Sequence, residues 1–132
     1  MARDKSTTPT RAELEILRVL WDRGPSTVRT VHEAVQQTRA TGYTTVLKLM
    51  QIMSDKGLVT RETSRRSHVY SAAISEASVQ TAMTRDLVDR AFGGSASKLV
   101  LRALSSEPTS PAELDEIRAL LRALSENKET SS

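Results

Sequence analysis

The spacing of apolar residues changes character at Gly57, and that change limits the folds open to the chain. Ahead of it, in "GYTTVLKLMQIMSDKG" (42–57), the spacing is helical. At about 100° per residue Val46, Leu49, Met50 and Met53 gather on one side, and Thr44, Lys48, Gln51 and Asp55 on the other. Gly57 suits the left-handed position that closes such a helix. Behind it, "LVTRET" and "HVYSAAI" follow a period of two, are rich in Val, Thr and Tyr, and flank the doubly basic "SRRS". This predicts a β-hairpin with Arg65 and Arg66 at its tip. No Gly or Asn-Gly pair marks the turn, so the loop is expected to exceed two residues.

Two helices are predicted before this switch. Thr10 and Glu13 have the spacing of a capping box, Leu14, Leu17, Leu20 and Trp21 follow at helical intervals, and Gly24-Pro25 stops the helix. Ser26 is the expected cap of the second, with Val28, Val31 and Val35 on one face, ending before "QQTRATG". Three short helices and a hairpin are the element order of a winged helix-turn-helix, whose third helix enters the DNA major groove while the hairpin lies along the backbone or minor groove.

The rest is predicted helical. Ser75 caps a helix bearing Val79, Met83, Leu87 and Ala91, which breaks at "FGGS". Ser95 restarts it through Leu99, Val100, Ala103 and Leu104, and Ser110-Pro111-Ala112-Glu113 is a capping box with Pro at the first helical position. Leu114, Ile117, Leu121 and Leu124, widened by Leu120, then line one face. The expected fold class is mainly α with a small β-hairpin wing. A disordered N-terminus (1–9) precedes a winged helix-turn-helix DNA-binding domain (10–74), followed by a helical dimerisation domain (75–127) and a disordered tail (128–132).

Composition removes several functions. Cysteine is absent, so disulfides, thiolate metal sites and thiol nucleophiles are excluded. His32 and His68 stand 36 positions apart without metal-site spacing, and Gly93-Gly94 lacks the third glycine of a phosphate-binding fingerprint. No nucleophile, base and oxyanion site assemble, so neither an enzyme nor a cofactor is expected. "MARDKSTTPT" has no apolar leader and no run of 18 apolar residues occurs, which predicts a cytoplasmic protein with no membrane insertion. Residues 1–74 hold 12 Lys and Arg against 7 Asp and Glu, a net +5, while residues 75–132 hold 7 against 9, a net −2. A basic front half suits a polyanionic partner.

Double-stranded DNA would explain why the third helix opens on threonines. A helix N-terminus brings free N–H groups and a positive dipole end to phosphates. Thr44 and Thr45 can bond a phosphate or base edge and pack a methyl on thymine, Lys48 can reach a phosphate or guanine, and Gln51 can pair with adenine. The bland alternative is that the two threonines only cap the helix. Arg65 and Arg66 would meet phosphates or the minor groove, against the alternative of simple turn charges. Tyr43 and Tyr70 are expected in the core or at its margin, hydroxyls outward.

The back half carries more Leu, Ile, Val and Met than one small helical layer can hide. Burying such surface contributes about 25 cal/mol per Å². A homodimer with a two-fold interface is the simplest answer, through Leu87, Ala91, Leu99, Leu104, Leu114, Ile117, Leu121 and Leu124.

The stretch "YTTVLKLMQIMSDKGLV", preceded by "AELEILRVLW" and "STVRTVHEAV" and followed by "FGGSASKLVLRAL" and "SPAELDEIRALL", resembles the BlaI/MecI penicillinase-repressor family over residues 10–125. The resemblance implies a repressor that dimerises through its C-terminal helices on an inverted-repeat operator of an antibiotic-resistance or stress-response operon. Tyr43, Thr44 and Thr45 would fall at the start of the recognition helix, and Arg66 on the wing arginine. It also implies release through a membrane-sensor-dependent protease. The expected cleavage position falls on Arg102-Ala103, where the Asn-Phe pair of family members is missing. Lys48 and Ile52 replace a frequent Thr and Arg, and the copper-binding mode of one branch is excluded for want of cysteine. Two other functions fit the residues: a winged-helix protein-docking module, and a MarR-like regulator holding a small ligand between its halves.

Overall fold

The computed structural model describes residues 8–63 and 66–131, with side chains as far as Lys128. In chain order the elements are α1 (Arg11–Arg23), β1 (Ser26–Thr27), α2 (Val28–Gln36), α3 (Tyr43–Lys56), β2 (Val59–Glu62), β3 (Val69–Ala72), α4 (Glu76–Ala91), α5 (Ala96–Ser106) and α6 (Pro111–Ser131). A first compact unit ends at Leu87 and a second begins at Val88, a boundary inside α4.

α1 starts with the capping box the sequence predicts. The Thr10 N–H donates to Glu13 Oε1 at 2.9 Å and the Glu13 N–H donates to Thr10 Oγ1 at 3.2 Å. Pro9, just before it, is buried, so packing begins inside the segment expected to be disordered; residues 1–7 lie outside the described residues. The second helix is capped by Thr27 rather than Ser26: Thr27 Oγ1 accepts from the Thr30 N–H at 3.2 Å. Ser26 is occupied otherwise, pairing with Tyr70 across the sheet and donating its hydroxyl to the Gly24 carbonyl at 2.9 Å. Two cap-forming residues in tandem are equivalent locally, and the strand partner decides between them.

β1, which no periodicity announces, adds a third strand to the hairpin. The antiparallel order is β1-β3-β2, with Thr27 opposite Val69 and Val59 opposite Ala72. α3 ends as expected: Gly57 has φ 84° and ψ 14°, and the Leu58 N–H returns to the Met53 carbonyl at 2.9 Å. The core of this unit joins Ile16, Leu17 and Leu20 of α1, Val28, Val31 and Val35 of α2, Val46, Met50 and Met53 of α3, and Leu58, Val59 and Tyr70. Val79 of α4 is fully buried in the same cluster and Met83 packs on it, so the front of α4 belongs with the winged core. Trp21 Nε1–H donates to the Ile74 carbonyl at 2.9 Å, tying α1 to the entry of α4.

In the second unit Ser95 Oγ caps α5 by accepting from the Lys98 N–H at 3.2 Å. The Ser110 N–H donates to Glu113 Oε1 at 2.9 Å and the Glu113 N–H to Ser110 Oγ at 3.1 Å, completing the box that starts α6. α6 continues through residues 128–131, where the polar composition suggested a tail, because no Gly or Pro stops it. The Ser110 backbone N–H, and after it the hydroxyl, hold the Glu113 carboxyl below the usual carboxylate range. A folded-state value below the unfolded one means that this support is complete above the ordinary carboxylate pKa and is lost as pH falls through the lowered value. Glu113→Ala is therefore expected to lower hydrogen-exchange protection in the first turn of α6 near neutral pH, and the two proteins should converge in acid.

Candidate nucleic-acid interface

α3 is positioned by its apolar side. Val46, Met50 and Met53 are buried, and Leu47 and Leu49 pack against the core. Its other side carries Thr44, Thr45, Lys48, Gln51 and Asp55, all exposed. The helix begins at Gly42, whose extended backbone makes it the N-cap, and no side chain caps it. The threonines are therefore not caps. Neither the Thr44 nor the Thr45 hydroxyl has a hydrogen-bond partner among the described residues. The free N–H groups of the first turn and these two hydroxyls share one end of the helix, where its dipole favours an anion.

Beside this end lies an open groove of about 820 Å³, formed by α2, α3 and the wing. Arg29 and His32 line it from α2, Tyr43, Leu47 and Gln51 from α3, and Arg61, Arg66 and His68 from β2 and the hairpin loop. Among the described residues that line it, Glu33 is the single carboxylate, against three arginines. The structure thus brings Tyr43, Gln51 and Arg66 to one concavity and sets Thr44, Thr45 and Lys48 on the adjoining helix face. Arg66 is exposed in the loop between β2 and β3, which exceeds two residues; Arg65 lies outside the described residues. Of the two tyrosines, Tyr70 is buried in the core as expected, whereas Tyr43 is 48% exposed and edges the groove.

Arg29, Arg61, His32 and His68 were not singled out for this surface by the sequence. Arg29, His32 and Gln36 do fall at i, i+3 and i+7 on the polar face of α2, so a signal existed there, whereas Arg61 shares the face of buried Val59 opposite Tyr70, and alternation gives no sign of its exposure. A second groove of about 530 Å³ runs between α1 and α2. Arg11, Arg18 and Arg23 there are interleaved with Glu15 and Asp22, and it presents no field of one sign.

Of the predicted dimerisation residues, Leu87, Leu104, Leu121 and Leu124 are exposed large apolar side chains, as are Val100, Leu101 and Leu120. Ala91 is exposed too, and Leu99, Leu114 and Ile117 are half-buried. Arg102 and Ala103 are exposed within α5. Among the described residues no helix is long and apolar enough to cross a membrane, and no cluster of three or more His, Asp or Glu could hold a metal ion.

The methicillin resistance regulatory protein MecI of Mammaliicoccus sciuri is 22% identical over 110 residues, covering 83% of this chain and 89% of that protein. The transcriptional regulator BlaI of Mycobacterium tuberculosis is 41% identical over 59 residues, 44% of this chain and 43% of that protein. A solution structure of the DNA-binding domain of the repressor BlaI aligns with a TM-score of 0.47 at 24% identity, covering 52% of this chain and 83% of that domain. The profile of the penicillinase repressor family matches residues 9–123, nearly all of the described chain. The chain belongs to the penicillinase repressor family.

Proposed function

We propose that the protein is a cytoplasmic, dimeric, sequence-specific transcriptional repressor that reads an inverted-repeat operator with α3 and grips the flanking backbone with its wing. Family membership supports a repressor of the BlaI/MecI type. The observation that carries the reading is the uncapped start of α3, with two threonine hydroxyls that have no partner among the described residues, beside an arginine-lined groove. Short hydroxyls allow the helix end to approach base edges closely, and Lys48 and Gln51 extend the same face along the groove. Residues 10–74, completed by the front of α4, act as the DNA-binding part, and the helices that follow act as the dimerisation part. The regulated operon serves β-lactam resistance or another stress response.

Release would follow loss of the dimer, since a single winged helix spans few base pairs and two joined modules gain by effective concentration. Proteolysis between Arg102 and Ala103, driven by a membrane sensor, is one route. That bond lies inside α5, and a protease takes extended backbone, so the helix must open locally before it is cut.

The test is selection of duplexes from a random-sequence pool by the purified protein at near-physiological salt. An inverted repeat is expected. On that duplex Thr44→Ala is expected to cost on the order of 1 to 3 kcal/mol, with little change on random DNA. Arg66→Ala should weaken both alike and reduce the salt slope by about one unit. Equal losses for Thr44→Ala on every sequence would remove base reading from α3. Failure to enrich any sequence would move the protein-docking alternative to the front.

A further inference from the structure

The N-terminus of α3 has no side-chain cap and is entered through Gly42, a residue that does little to restrict the chain. Something else must fix where Thr44 and Thr45 sit. His32, from the middle of α2, lies at hydrogen-bond distance from the backbone carbonyl of Thr41, Nε2 to oxygen 2.7 Å. Its ring also meets the ring of Tyr43 edge to face, with centroids 5.7 Å apart and planes at 78°. One histidine therefore touches the residues on either side of Gly42, the last of the turn and the first of the helix. Other polar ties of this turn lie farther from the helix start or are local: Arg39 Nη2 donates to Glu15 Oε1 of α1 at 2.6 Å, two residues before Thr41, Gln36 Oε1 accepts from the Thr41 N–H at 3.4 Å, and Thr41 Oγ1 donates to the Arg39 carbonyl at 2.9 Å.

We infer that His32 is a positioning residue for DNA recognition, acting as a pin from α2 that sets the first turn of α3 without itself contacting bases. This rests on the assignment of α3 as the reading helix. A carbonyl can only accept, so the pin requires a proton on Nε2. The Tyr43 contact adds a preferred ring geometry to the hydrogen bond, so two independent contacts hold one short connection. Losing them leaves the core untouched, because neither His32 nor Tyr43 belongs to the buried cluster. The cost should therefore appear in recognition more than in folding.

The experiment compares His32→Gln, which keeps a donor, with His32→Leu, which keeps similar bulk without one. Both are assayed in the full chain on the inverted repeat that the wild type selects and on a random duplex. His32→Leu is expected to lose about five- to tenfold on the selected duplex, the weight of one well-placed hydrogen bond, with less than about twofold on random DNA. His32→Gln should recover most of that loss, and both melting temperatures should stay within a few degrees of wild type. Equal behaviour of the two variants, or equal losses on both duplexes, would overturn the pin while leaving the reading role of α3 intact. If the wild type selects no sequence, the reading role falls and this inference with it. Nitrogen-15 chemical shifts of the wild-type ring give a test independent of variant stability. A proton on Nε2 is expected, and a ring protonated at Nδ1 alone would refute the pin.

Discussion

Leu121→Asp is expected to leave each protomer folded and to weaken binding to the selected inverted repeat by on the order of a hundredfold. Leu121 is 55% exposed in the single chain, as is Leu124, so an aspartate there displaces no packed core. In the proposed dimer the same position would be covered, and an unpaired carboxylate placed under a partner's apolar face costs several times what the leucine contributes. The dimer would then dissociate at working concentrations, and each winged helix would bind its half-site alone. Two readouts separate this from unfolding. Far-UV circular dichroism should be unchanged, and affinity for an isolated half-site should match that of the wild type. Sedimentation should show a monomer in place of a dimer. A Leu121→Asp protein that still sediments as a dimer and binds the full repeat would place the interface elsewhere.

Much of this surface is legible in the sequence because it follows from local rules. The hydroxyl, lysine and glutamine face of α3 follows from a 100° period, and the hairpin from alternation plus the basic pair between its strands. The boxes at Thr10-Glu13 and Ser110-Glu113 follow from spacing alone. Tertiary pairing hides the remainder. β1 is two residues long, too short for a period of two to register, and exists because Ser26 and Thr27 lie against Tyr70 and Val69, over 40 positions away. Ser75 reads as the start of a new domain, whereas Val79, one turn on, is buried with α1 and α3, and the first compact unit runs to Leu87. The contact of His32 with Thr41 and Tyr43 crosses a turn of no fixed period, so a histidine that looks incidental in the sequence becomes a link in the structure.

Lys56→Met is expected to lower the stability of the winged unit by about 3 kcal/mol, more than a surface ion pair would cost. Glu13 is only 2% exposed, and both of its oxygens are engaged: Oε1 accepts from the Thr10 N–H, and Oε2 accepts from Lys56 Nζ at 2.7 Å. Lys56 is in the last turn of α3 and Glu13 in the first turn of α1, so the pair braces the far end of the proposed reading helix against α1. Removing the ammonium leaves a buried carboxylate with no opposite charge, and that penalty exceeds the value of the bond itself. The converse change is milder. Glu13→Gln keeps an acceptor for the Thr10 N–H, since glutamine serves at this position of the box, and the partly buried Lys56 head can turn to water along its flexible stem. The double variant should regain most of the loss, because no buried charge remains. For a domain of this size the Lys56→Met loss corresponds to a fall in melting temperature on the order of 10 °C or more. A double-mutant cycle by urea denaturation measures the coupling directly, at about 2 kcal/mol or more if the brace is as drawn. Additive effects within about 0.5 kcal/mol would mean that Glu13 is held by its capping box alone and that α1 does not brace α3.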